Sequence, residues 1–186
     1  VRIFFKSILV FVFSVLSFTD SARAAGEDIN ILFTPWVVPL LGSALIDLEL
    51  SVEANLSEKS SLALGLTYFR KDCNDCSPFT KSSGKGMSLY HRYYLDTISQ
   101  GGWIIIGGME LARARTQSFR GNLIEHDRGN ILDTEMILAQ RKYINRFLYE
   151  YGAGISYRIG DVQALDSGGY ENGFGPVLHL VLGYTF

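Results

Sequence analysis

The stretch VLHLVLGYTF, residues 177–186, decides how the rest of the chain is read. Successive side chains of a β-strand point to opposite faces. Leu178, Leu180, Leu182, Tyr184 and Phe186 therefore share one face, and Val177, His179, Val181, Gly183 and Thr185 share the other. The first face is apolar without a break and ends on aromatics, which suits a strand lying against hydrocarbon.

The same period of two recurs upstream. Eight segments alternate in this way: 30–38, 46–55, 61–70, 86–95, 102–115, 130–141, 147–160 and 175–186. In the seventh, Phe147, Tyr149, Tyr151, Ile155 and Tyr157 oppose Leu148, Glu150, Gly152, Gly154, Ser156 and Arg158. In the third, Leu62, Leu64, Leu66 and Tyr68 oppose Ala63, Gly65 and Thr67, and in the second Leu48, Leu50 and Val52 oppose Glu49, Ser51 and Glu53. The sixth alternates weakly and the first more weakly still. The connections alternate in length: 56–60, 96–101 and 142–146 are short, whereas 71–85, 116–129 and 161–174 are longer and polar. The first link, 39–45, breaks this pattern by being short and apolar.

The amino-terminal end points the same way. Arg2 and Lys6 accompany an apolar run over 8–18, followed by Ala22, Arg23 and Ala24, the layout of a secretory signal peptide cleaved after Ala24. An uncleaved membrane anchor is the rival reading. Cleavage leaves 25–186 as a single domain, and loss of Arg2, Lys6, Asp20 and Arg23, a net +2, takes the formal charge from −2 to −4. With no basic block or stripe in the sequence, this balance argues against nucleic acid as a partner. Beyond the leader no apolar run approaches the roughly 20 residues of a spanning helix, so any membrane crossing is made by strands.

The last strand, with Leu182, Tyr184 and the final Phe186, resembles the terminal strand of Gram-negative outer-membrane β-barrels. The resemblance is to the outer-membrane-protein-A/X/W type or to an uncharacterised bacterial barrel family. It implies an all-β, eight-stranded antiparallel up-and-down transmembrane barrel over 25–186 in the outer membrane. It also makes Leu182, Tyr184 and Phe186 the signal read by the barrel assembly machinery, with outer-membrane lipid and lipopolysaccharide as partners. The short links become periplasmic turns and the long ones extracellular loops. The competing architecture is a secreted antiparallel barrel or sandwich that buries the same apolar face inward. Against it stand aromatics near strand ends (Trp36, Tyr68, Tyr93, Trp103, Tyr149, Tyr184) and charges gathered on the small-residue face.

An eight-stranded barrel encloses only enough space for its own side chains. The inner face receives Glu49, Glu53, Glu110, Glu135 and Glu150 with Arg92, Arg141 and Arg158, besides Tyr90 and Tyr94. Carboxylates and guanidiniums crowded into one lumen should pair, because an unpaired buried charge costs several kcal/mol. Two readings follow: a lumen packed shut by ion pairs, or a gated path for protons or small ions. Arg92 inward sends His91 toward lipid, the cheaper of the two choices.

Some barrels of this size are enzymes that trim or transfer the acyl chains of lipid A. In their deacylase pattern a His is followed two residues later by Ser. Here His91, His126 and His179 are followed at that spacing by Tyr93, Arg128 and Val181. The sequence thus offers no catalytic residue, no cofactor site and no metal site, and a lipid-modifying enzyme stays an alternative to a structural or surface-interaction barrel. His179, on the inner face, reads as a satisfied core histidine. Cys73 and Cys76, in the link 71–85, read as a disulfide pinching a loop tip in an oxidising compartment. The link 116–129 reads as a solvated loop of mixed charge.

Overall fold

In a computed structural model the chain is described over residues 29–40, 43–73, 79–120, 123–160 and 173–186. The leader over 1–24 and the side chains of Cys73 and Cys76, with the expected disulfide, lie outside the described residues.

Eight strands follow one another: β1 (Ile29–Leu40), β2 (Ser43–Ser57), β3 (Ser60–Cys73), β4 (Phe79–Tyr94), β5 (Gly102–Arg120), β6 (Leu123–Ile144), β7 (Phe147–Gly160) and β8 (Gly173–Thr185). Each is antiparallel to its neighbours in sequence, and β8 returns to β1, so the sheet closes into an up-and-down barrel. Closure removes the sheet edges, which would otherwise leave backbone donors and acceptors unpaired. Among the described residues no helix is long and apolar enough to cross a membrane. The tight β6–β7 turn places Asn145 at φ 58°, a left-handed conformation that Asn tolerates better than most residues.

Three strands run well past their expected ends. Residues 79–85 belong to β4, 116–120 to β5 and 123–129 to β6, so much of the two expected loops 71–85 and 116–129 is paired strand. The β5–β6 register is unbroken from Gly102↔Arg141 to Arg120↔Leu123. The cause of the misreading is that these extensions carry Lys81, Gln117 and Arg128 on the outward face, where apolar residues had marked the strands. A strand needs only about 9–11 residues to cross the hydrocarbon. Beyond that length its outer face is released from apolar alternation while backbone pairing continues.

Within the barrel wall the two faces keep their phase. Outward stand Trp103, Ile105, Met109 and Leu111 of β5; inward stand Ile104, Ile106, Ala112 and Ala114. The lumen holds apolar packing at several levels: Ala63, Tyr90, Tyr94, Ile104, Ile106, Ile137 and Ala139 form one group, Phe69, Ala112, Ala114 and Ile131 a second, and Leu32, Leu148 and Val181 a third. The link between β4 and β5 makes a single 3-10 turn, Ile98–Gln100, which buries Ile98 beneath Tyr94 and Ile104. Its backbone is tied to the neighbouring turn by Ile98 N–H donating to Glu58 O at 3.0 Å.

Candidate functional site

The polar chemistry of the barrel lies inside it, near the end carrying the short turns. Glu53 of β2, Glu150 of β7, Arg92 of β4 and Arg141 of β6 all point inward from adjacent levels of the wall and are buried. Arg141 bridges the two acids: its Nη2 donates to Glu53 Oε2 at 2.8 Å and its Nε to Glu150 Oε1 at 2.6 Å. Arg92 Nε sits 3.8 Å from Glu150 Oε2 and 4.0 Å from Glu53 Oε1, so charge and not a hydrogen bond ties it to the acids. The group is thus formally neutral, with as many guanidiniums as carboxylates.

Neutral groups from the remaining strands complete it. Glu53 also accepts from Asn30 Nδ2 at 2.9 Å, from Tyr94 Oη at 2.7 Å and from Ser61 Oγ. Glu150 Oε2 lies 2.9 Å from His179 Nε2. Asn30 in turn accepts from Thr185 Oγ1 at 2.7 Å, and Tyr143 Oη accepts from Arg141 Nη1 at 3.3 Å. Arg141 lies 5.1 Å from the Tyr94 ring centroid, close enough for a cation–π contact. Every strand except β5 therefore contributes a polar group, and β5 supplies Ile104 and Ile106 as the apolar wall. The two buried carboxylates are tolerable in such a place because both are paired and their remaining lone pairs are taken up by these donors.

Higher in the lumen the pattern changes from one network to separate pairs. Ser88 Oγ donates to Glu49 Oε1 at 3.0 Å, Thr67 Oγ1 to Glu110 Oε1 at 2.7 Å, and Tyr90 Oη lies 3.5 Å from Glu135 Oε2. Gly65 makes room for the first pair: a Cβ there would come within 2.6 Å of Glu49 Oε1. Toward the opposite mouth Arg158 Nε donates to Asp133 Oδ2 at 2.9 Å. Asp47, Glu110, Asp133 and Arg158 border a void of only about 20 Å³, room for a single water.

Of the residues expected to face the lumen, Glu53, Arg92 and Glu150 fall into the same network; Glu49, Glu110 and Glu135 bond to separate hydroxyls, and Arg158 pairs with Asp133. Sequence reasoning named Glu residues as the lumen acids and passed over Asp133, although it lies in phase with Ile131 and Ile137 on β6. It also passed over Asn30 and Ser61, neutral side chains that give no charge signal. Leu182, Tyr184 and Phe186 all face outward at the end of the chain, where Tyr184 packs edge-on against Phe147 at 5.2 Å and against Phe186 at 5.0 Å. His91 is exposed on the outer wall and His126 is likewise exposed. Among the described residues no group of His, Cys, Asp and Glu has the arrangement of a metal site.

No protein-family model matches the sequence, and no curated protein matches it. Solved structures do. The N-terminal β-barrel domain of Pseudomonas aeruginosa OprF is 12% identical, with a TM-score of 0.49, covering 86% of this chain and 96% of that one. Neisserial surface protein A is 15% identical, with a TM-score of 0.47, covering 86% and 94%. A major outer membrane protein from Thermus thermophilus is 11% identical, with a TM-score of 0.57, covering 86% of this chain and 99% of that one. At that identity the last of these likenesses speaks for the fold alone: the chain forms a closed eight-stranded antiparallel barrel that resembles the fold of this outer-membrane protein.

Proposed function

We propose that this chain is an integral outer-membrane barrel whose lumen is sealed, and which acts without catalysis through its outer wall and its long-loop end. The observation that carries the proposal is the division of the two faces. Leu111, Met136 and Leu178 stand 60%, 63% and 67% exposed on the outside, while Glu53, Glu150 and Arg141 are wholly buried inside. A water-soluble protein rarely leaves an encircling apolar band in contact with water, and it places its ions outward. Inverted placement is what a hydrocarbon surround selects.

The ion-paired lumen favours a structural or surface-interaction role over a channel. Arg141 and Arg92 fasten β2, β4, β6 and β7 together across the bore, and Ile98 packs in the apolar group that includes Tyr94 and Ile104. His179 is turned to Glu150 within this network, away from the lipid-facing wall on which an acyl chain would lie, which speaks for a non-enzymatic role.

The test is in two parts. The purified chain should fold into uncharged detergent micelles and run on SDS gels with a mobility that changes on boiling; failure to fold in any micelle, with a soluble folded species instead, would overturn the membrane assignment. Reconstituted in planar bilayers, it should give no steady single-channel current, and reproducible conductance steps from the wild-type chain would overturn the sealed lumen.

A further inference from the structure

The register of β3 to β6 stacks cations on the outer wall beyond the apolar band. One cross-strand row reads Tyr68, Lys85, Arg113, Asn130, and the next reads Arg70, Ser83, Arg115, Arg128. Lys81 follows one row further, beside Asp72 and Gln117. All six cations point outward and are exposed. The sole acid on these rows is Asp72, which pairs with Arg70 at 2.9 Å.

Two features set this patch apart from an ordinary solvated face. First, Lys85 stands directly opposite Arg113, and Arg115 directly opposite Arg128, two like-charge pairs in a position where like charges destabilise a sheet. A site that holds such pairs side by side is relieved when an anion lies between them. Second, the row immediately below is Leu66, Met87, Leu111, Leu132, wholly apolar. Tyr68, Arg70, Lys81, Ser83 and Arg115, together with the carboxylate-bearing Asp72, also border an open cleft of about 330 Å³ on this wall. The surface therefore offers cations and hydrocarbon contact in one continuous strip, with arginine forks suited to bidentate contacts with phosphate.

We propose that this strip binds a lipid whose headgroup carries more than one phosphate, the phosphates lying among Lys85, Arg113, Arg115 and Arg128 and the acyl chains along Leu66, Met87, Leu111 and Leu132. The inference rests on the membrane assignment above and gives it a ligand class. A soluble polyanion would meet the same cations but leave the apolar row uncovered, so the lipid accounts for both halves of the strip.

The full chain, folded in dodecyl maltoside, is titrated with bis-phosphorylated lipid A, with the same lipid stripped of its phosphates, and with inorganic polyphosphate, and bound lipid is counted by native mass spectrometry. Wild type should bind the bis-phosphorylated lipid in preference to both others and lose it as salt is raised. At roughly fivefold per cation near a lipid surface, K85Q/R113Q/R115Q should weaken binding about a hundredfold, and K142Q/R146Q, at the short-turn end, should leave it unchanged. The triple variant should unfold in lipid-free micelles at the same or a higher urea concentration than wild type, because it sheds like-charge repulsion; R115Q alone, expected to lose about fivefold, serves should the triple variant not fold. Equal binding of the phosphate-free lipid, equal competition by polyphosphate, binding by the triple variant within twofold of wild type, or equal loss in the control variant would each overturn the proposal. Heat-modifiable mobility in these same samples separates that outcome from failure of the membrane assignment.

Discussion

Arg141 is the residue on which the interior turns, since it is fully buried and bridges two carboxylates that have no other guanidinium within hydrogen-bond distance. Arg141→Gln leaves Glu53 and Glu150 buried with Arg92 at 3.8–4.0 Å as their nearest guanidinium. Removing one partner of a buried ion pair costs about 3–5 kcal/mol, so the variant should unfold at markedly lower urea in micelles. Adding Glu53→Gln to it, which leaves Glu150 facing Arg92 and the group again neutral, should return a large part of that loss. A double variant no better than the single one would mean that Arg141 acts through packing and not through charge. The sequence showed that Glu53, Arg92, Arg141 and Glu150 share the inner face, because period-two alternation assigns a face to each residue. It could not pair Arg141 with Glu53, 88 positions away, because that contact depends on how the strands stagger when the barrel closes.

At the scale of the element, β5 gives the sharpest view of how far a strand's sequence can be read. Its residues mark a strand over 102–115, yet the strand continues to Arg120. Adjacent glycines test the phase directly. A Cβ on Gly108 would press into the Tyr90 ring and come within 2.8 Å of Leu89 O, whereas one on Gly107 meets nothing within 4 Å. Gly108→Ala should therefore cost about 1–3 kcal/mol through overpacking. Gly107→Ala should be neutral or stabilise by about 0.5–1 kcal/mol, since Ala loses less backbone entropy than Gly in a strand. Urea unfolding followed by tryptophan fluorescence decides it, and equal effects at the two sites would show that the faces are misassigned. The polar continuation of β5 makes a separate prediction. In a chain with Cys73 and Cys76 replaced by Ser, a cysteine at Gln117 should react in whole cells with a membrane-impermeant maleimide, and one at Met109 should not. Labelling at Met109 but not at Gln117 would invert the assignment of which end of β5 leaves the membrane.

For the whole molecule the point of interest is the seam where the first and last strands meet. Eight alternating segments with short and long links implied a closed ring, yet nothing in the residues gave the length of its final joint, because closure is a property of all the strands together. β1 and β8 pair over only four rows, Asn30↔Thr185 to Phe33↔Leu182, whereas β5 and β6 pair from Gly102↔Arg141 to Arg120↔Leu123. Among the described residues the seam is reinforced at the short-turn end alone. There Thr185 Oγ1 donates to Asn30 Oδ1, Phe186 N–H donates to Ile29 O at 3.0 Å, and Leu32 packs on Leu148 and Val181. Local opening in a folded protein starts where backbone pairing is sparsest, and a barrel has no other edge at which to start. Hydrogen exchange of the micelle-bound chain should thus show the amides of β1 and β8 beyond Phe33 and Leu182 exchanging long before those of β5 and β6. Thr185→Ala, which removes the bond to Asn30, should speed exchange across Asn30–Phe33 while leaving the β5–β6 amides unchanged. Uniform acceleration over all eight strands would instead mean that the barrel opens as one cooperative unit, with its joint no weaker than its walls.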